Sequence, residues 1–191
     1  MLDAVLLEQV QKASVVESRP APARVTTYPG WVRPVTASCV IAEAERQSLD
    51  LLKVLAVMKA ENGRVGQFVL NSNGSYDIGP MQVNTIHLPE LAKTFRVSGE
   101  TVAQLLAYDG CFNVAVGAWL LRLRTNEAQG DFWYGIGRYH SRTVAYSNQY
   151  ILRVHAVMQG LVKGEETALA RKVPAVRIAT GAIQVAYNKG D

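Results

Sequence analysis

Residues 49–63 read LDLLKVLAVMKAENG. From Leu49 to Ala60 the run is almost wholly apolar, and its apolar residues fall nearly all round a helix. Such a helix belongs at the centre of a core, and Ser48 is placed to cap its start. Asn62-Gly63 is a stop signal, so Glu61 falls in the final turn. Negative charge is unwelcome there, because the unpaired carbonyls give the helix end a partial negative charge of its own. Apolar Val57 and Met58 add desolvation. Both effects penalise the carboxylate and raise its pKa, and an acid still protonated near neutral pH is what general acid catalysis requires. The plainer alternative is an exposed Glu at a frayed helix end.

Working outward, Val40 to Gln47 reads as a short Ala/Glu-rich helix. Further back, SRPAPARVTTYPGWVRP (18–34) has no apolar period and reads as an extended connector. On the other side, NSNGSY (71–76) is rich in turn formers and lies between Phe68-Val69-Leu70 and Asp77-Ile78. It predicts a small β-hairpin or irregular loop. Helical pattern resumes over Leu88 to Phe95 and again after Ser98, an N-cap candidate with Glu100 in the first turn. Phe112 to Arg124 and Ala145 to Leu161 are strong helices. In the second, Tyr146, Tyr150, Val154, Met158 and Leu161 share one face. The expected organisation is an N-terminal extension over 1–37, a helical domain over 38–162 and a tail of unassigned structure over 163–191.

Composition narrows the function classes. A chain of 191 residues, 49% hydrophobic and 19% charged, suits one globular domain with tails. Its net charge of +4 suits an anionic partner: nucleic acid, membrane surface or cell-wall polymer. There is no dense Lys/Arg cluster and no nucleic-acid motif, so nucleic acid is not expected. No apolar run reaches the ~18–20 residues of a membrane-spanning helix. The opening MLDAVLLEQVQ lacks a cationic region and reads as a short amphipathic helix rather than a signal peptide, so an exported form is expected to have lost its leader. His87, His140 and His155 are scattered without the spacing of a zinc site, and neither metal nor cofactor is implied. Counting alone leaves Cys39 and Cys111 open between buried thiols and a disulfide.

GSYDIGPMQVN (74–84) follows Glu61 within a short reach. With it, the sequence resembles the lysozyme superfamily, and most closely the SLT-type lytic transglycosylases of bacterial secretion, conjugation and type IV pilus machines. Their pattern is a Glu ending an apolar helix, a polar turn, then G-S-x-D-I-G-x-M-Q-I-N. The chain continues with CFNVAVGAWLL (111–121), like that family's Cys-x-Asn-x-x-x-Gly helix, and YGIGRYHSRT (134–143), like its Y-H-S segment. The likeness spans roughly Cys39 to Leu161, with the blocks in the family's order. Asn62, where many relatives have Ser, and Pro80, where Leu is commoner, depart from the pattern without removing an acid–base group. The implied fold is mainly α: a lysozyme-like α+β domain with a small β-hairpin or loop beside the catalytic helix.

The resemblance also implies roles. Glu61 is the acid/base that protonates the β-1,4 bridge between N-acetylmuramic acid and N-acetylglucosamine. The muramyl 6-hydroxyl then attacks, leaving a 1,6-anhydro sugar. Gly79, Met81 and Gln82 match the motif bordering the sugar cleft; Gln82 is either a sugar partner or merely structural. Tyr139 matches a tyrosine near the acid, or else packs in the core, and Asn113 is placed to orient Glu61 or its loop. Asp77 is either a second carboxylate that stabilises the transition state, kept ionised by Ser75 and Asn73, or the cap of the hairpin. Retaining glycosidases hold two such carboxyls ~5–5.5 Å apart. The cysteines match a pair in this group, implying a Cys39–Cys111 disulfide and the periplasm.

Three functions are thus weighed. The first is a transglycosylase that cuts peptidoglycan strands, its partners including components of a type III or IV secretion, conjugation or pilus assembly. The second is a lysozyme-type muramidase using Glu61 and Asp77. The third is a weakly catalytic peptidoglycan-binding module that recruits machine components. Trp119 and Trp133 are further candidates to stack on sugar, Trp119 reading better as core, and His140 to line the cleft beside Tyr139.

Overall fold

A computed structural model describes residues 31–172 of the chain, with side-chain surroundings for 31–164. The amphipathic opening, most of the connector and residues 173–191 lie outside the described residues, as does the AYNKG stretch near the end. The order of elements is α1 (Ala37–Arg46), α2 (Leu51–Glu61), β1 (Phe68–Leu70), β2 (Tyr76–Ile78) and β3 (Val83–Asn84). A 3-10 turn (Thr85–His87) then leads into α3 (Leu88–Phe95), α4 (Gly99–Tyr108), α5 (Gly110–Glu127), α6 (Phe132–His140) and α7 (Val144–Lys172). The fold is mainly helical, with one three-stranded antiparallel sheet, in agreement with the class expected from the sequence.

Local chemistry sets most boundaries. Ser98 caps α4 by accepting from the Thr101 N–H at 3.0 Å, as its position predicts. Ser48 does not cap α2. The backbone turns left-handed at Ser48 (φ 50°), and Asp50 accepts from the Lys53 N–H at 3.1 Å instead. The Arg122 guanidinium from α5 donates to the carbonyls of Gln47 and Ser48, fixing that turn from outside. Asn62 ends α2 in the left-handed region (φ 53°), its N–H bonded to Met58 O at 3.2 Å. Helix α7 passes Leu161, where the pattern was expected to end, and runs to Lys172.

Over its first half α5 is buried on every side. Phe112, Asn113, Val114, Ala115, Val116, Gly117 and Ala118 are consecutive buried residues. The small members of that run let α1, α4, α6 and β3 approach it closely. Helix α2 is less central than its composition predicts: Val54, Ala56, Val57 and Ala60 are buried, whereas Leu51 and Lys59 are exposed. Its covered face packs on α1 and α7. Cys39 near the start of α1 and Cys111 near the start of α5 form a disulfide, with their Cα atoms 5.7 Å apart. Beside it, Asp109 accepts from the Phe112 N–H at 3.0 Å and pairs with Arg33 at 3.2 Å, so the last part of the connector is tied to the start of α5.

Candidate active site

Residues 78–82 form the wall between the sheet and α5, and α5 shapes them. Gly79 has φ +72°, and a Cβ there would lie 2.3 Å from the Asn113 amide, so only glycine fits the turn. Asn113 is fully buried. Its Oδ1 accepts from the Met81 N–H at 2.7 Å, while Nδ2 donates to Ile78 O (2.8 Å) and Leu106 O (2.9 Å). One turn on, Gly117 leaves room for Met81: a Cβ there would meet the Met81 side chain at 2.6 Å. Gln82 donates to Gly79 O at 2.8 Å and closes the turn.

Three of the expected site residues lie beneath the cleft surface, and of the two roles open to Asn113 the structure shows the orienting of the loop. Gly79, Met81 and Asn113 are buried, and Met81 and Asn113 have no exposed surface. Asn113 bonds to the loop backbone and not to Glu61. These three residues shape the wall and do not reach its surface.

The cleft that this wall borders has a volume of about 480 Å³. Glu61, Ser75, Asp77, Gln82 and Tyr139 all line it, so the structure brings together sequence candidates separated by up to 78 positions. A second groove of about 550 Å³ runs along Leu55, Met58 and Leu161; it is mainly apolar, and no carboxylate lines it among the described residues. The polar cleft is the one equipped for acid–base chemistry. Trp119 and Trp133 are half-buried against the core and do not line it.

Within the cleft, Tyr150 of α7 donates its hydroxyl to Glu61 Oε1 at 2.5 Å. Burial pushes the Glu61 pKa up from 4.5 to about 7. The Tyr150 bond opposes that rise, the Asp77 charge adds to it, and the Arg153 charge opposes it. The direction agrees with the sequence argument, and the carboxylate's hydrogen-bond partner is an aromatic hydroxyl 89 positions away. Burial raises the Tyr150 and Tyr139 hydroxyls far above their ordinary value of 10.0, so both remain donors. Tyr139 donates a hydrogen bond to Met81 O at 2.8 Å. His140 lies flat on the Tyr150 ring, centroids 4.3 Å apart and planes 5° apart, and lines the cleft beside Tyr139.

Asp77 sits on β2 opposite Val69 and Asn84, so it is a strand residue and not the hairpin cap. Asn73 does the capping, accepting from the Ser75 N–H at 3.0 Å and the Ser75 hydroxyl at 2.7 Å. The expected Ser75 and Asn73 bonds to Asp77 are replaced by one from Asn84, whose Nδ2 donates to Asp77 Oδ1 at 2.7 Å and to Ser75 Oγ at 3.0 Å. Asn84 Oδ1 accepts from the Ile86 N–H at 3.0 Å, which fixes the orientation of its amide.

Sequence reasoning missed Tyr150 and Asn84. Tyr150 was read as one member of an apolar stripe, although a buried phenol needs a partner for its hydroxyl and could have been flagged on that ground. The acid it serves and the carboxylate that Asn84 holds stand on different elements, α2 and β2. Among the described residues no group of His, Cys, Asp and Glu could hold a metal ion. No helix there is long and apolar enough to cross a membrane.

No family model matches the chain. Over 108 residues it is 30% identical to the Invasion protein IagB of Salmonella typhimurium strain SL1344. The same figures hold for IagB of strain LT2 and of Salmonella typhi. The match covers 56% of this chain and 64% of IagB, so the chain spans a little under two thirds of the relatives it resembles.

Proposed function

We propose that the chain is a peptidoglycan lytic transglycosylase with Glu61 as its acid and base. The observation that carries this reading is Glu61 itself, half-buried at the end of α2, raised to about 7 and facing a polar cleft. Near neutral pH such a group exists in both forms, which suits a residue that must first give and then take a proton. Protonated Glu61 donates to the oxygen bridging N-acetylmuramic acid and N-acetylglucosamine as the anomeric C–O bond breaks. The carboxylate left behind accepts the proton of the muramyl 6-hydroxyl while that oxygen bonds to the anomeric carbon. The Tyr150 hydroxyl steadies the carboxylate stage, and Asp77 supplies negative charge to the oxocarbenium-like transition state.

The likeness to an invasion protein supports a role in opening the wall for an envelope-spanning secretion, conjugation or pilus machine. The Cys39–Cys111 disulfide supports an oxidising compartment, and we assign the periplasm. The domain responsible is taken as 38–162, flanked by the extension over 1–37 and the tail from 163.

One observation favours a second reading, a lysozyme-type hydrolase. Asp77 is held by Asn84 on a strand lining the same cleft, as a second catalytic carboxylate would be. Mass spectrometry of digested peptidoglycan decides between the two. Anhydromuramyl ends are expected, whereas reducing muramic acid ends transfer the assignment to the hydrolase. The Glu61→Gln variant is expected to release neither. Lysis of purified sacculi by that variant at the parent rate overturns the role of Glu61 and favours the binding module.

A further inference from the structure

Beyond the acid, the cleft reaches a charged group that the proposed chemistry leaves unused. Asn113, Gly117, Leu120 and Arg124 follow one another at helical spacing along α5. About 16 Å of helix rise separates the first from the last. Asn113 and Gly117 serve the 78–82 wall, whereas Leu120 and Arg124 line the cleft with Ile86 and His87 of the 3-10 turn.

Arg124 is 17% exposed, and its Nη1 pairs with Glu127, which is 42% exposed. A half-solvated pair at i,i+3 is weak and easily exchanged. Nε and Nη2 of the same guanidinium have no partner among the described residues. His87 lies close enough to feel this charge: burial and Arg124 hold it below its ordinary range, so it stands as a neutral hydrogen-bonding group beside the cation. The cleft-lining carboxylates, Glu61 and Asp77, belong to α2 and β2, while on the α5 side the cation Arg124 faces the cleft with Glu127 as its partner and Glu90 near enough to act on His87. A planar guanidinium in a partly desolvated wall matches a carboxylate in fork geometry.

Uncharged N-acetylglucosamine offers such a group nothing to neutralise. A muramyl residue does, through its free lactyl acid or, when a stem is attached, the acids of the peptide. We propose that Arg124, with His87 beside it, forms a carboxylate subsite that selects muramyl strands over uncharged aminosugar polymers. The proposal rests on the muramyl substrate of the transglycosylase reading.

The test is calorimetric binding in a Glu61→Gln background, so that nothing is cut. Three ligands are compared: a stem-bearing muramyl oligomer, the same oligomer with its stems removed by an amidase, and chitin hexasaccharide. Arg124→Gln is expected to weaken binding of carboxylate-bearing strands about tenfold, the scale of one charge-assisted pair, and to change the chitin oligomer less than about twofold. Loss with both muramyl ligands assigns the lactyl acid, and loss confined to the first assigns the stem. Arg124→Lys keeps charge without the fork and is expected to lose about threefold on the same ligands, which keeps the test alive if the Gln variant unfolds. Glu127→Gln breaks the ion pair but keeps the cation, and is expected to leave carboxylate binding unchanged or tighter.

The subsite is overturned by any of three results: equal losses on all ligands, no loss on any, or a Glu127→Gln effect matching that of Arg124→Gln. A parent protein that discriminates between the ligands yet leaves muramyl glycan uncut overturns the transglycosylase reading alone.

Discussion

Replacing Glu61 with Gln separates the physics of the site from its enzymology. In the unfolded chain this acid ionises at its ordinary value of 4.5, and in the fold at about 7. Below 4.5 both states hold the proton, and the neutral acid contributes its full stability. Between 4.5 and about 7 only the unfolded chain releases it, so that stability is lost as pH rises. Two and a half pH units at 1.36 kcal/mol each amount to about 3 kcal/mol. Gln keeps an oxygen to accept the Tyr150 hydroxyl and has no charge to bury. Urea unfolding of parent and variant between pH 4 and pH 8 is the assay, since every other titrating group cancels in the difference. Glu61→Gln is expected to gain about 3 kcal/mol on the parent across that range, most of the gain falling between 4.5 and 7. A difference that stays flat within about 0.5 kcal/mol refutes the claim that this carboxylate is penalised by its surroundings.

Tyr150→Phe removes the hydroxyl given to Glu61 and keeps the ring beneath His140. That bond favours the carboxylate, so its loss should raise the Glu61 pKa by about one unit or more, from about 1.5–3 kcal/mol for a hydrogen bond to a charged group. An NMR titration of the side-chain carboxyl reads the shift, and movement downward contradicts the assignment. Replacing both Cys39 and Cys111 with Ser opens a loop with a sequence separation of 72. In the chain-entropy model this costs about 4 kcal/mol on denaturant unfolding, and a loss below about 1 kcal/mol contradicts it. Asn113→Ala strands the buried Met81 N–H and the Ile78 and Leu106 carbonyls. It should cost about 3 kcal/mol or more in a melting experiment and speed hydrogen exchange at the Met81 amide; an unchanged exchange rate speaks against that bond.

What could be read in the sequence was whatever local chemistry decides. The stop at Asn62-Gly63, the cap at Ser98 and the turn at 71–76 are each settled within a few residues, and the structure places all three as expected. Ser48 misled because Arg122 of α5, 74 positions away, holds the turn and passes the capping role to Asp50. Helix α6 escaped notice because its nine residues include two glycines and no clean apolar period, although Asp131 caps it by accepting from the Tyr134 N–H. The motif around 77–82 falls at the wall of the polar cleft but did not separate residues that line the cleft from those that hold it. Burial of Met81 and Asn113 depends on how α5 docks against the sheet, which no short window of sequence contains.

That division of labour between Asn113 with Gly117 and the residues at the rim bears on how the protein can change. Much of the scaffold is written in two buried positions of a single helix, and the rim residues that also brace it are Gln82, Asn84 and Tyr139. Substitutions at Ser72, Ile86 or Thr143 can therefore retune what the crevice accepts while the frame beneath stays as it is. Selection, or an engineer, has a surface to rewrite without first having to rebuild its support.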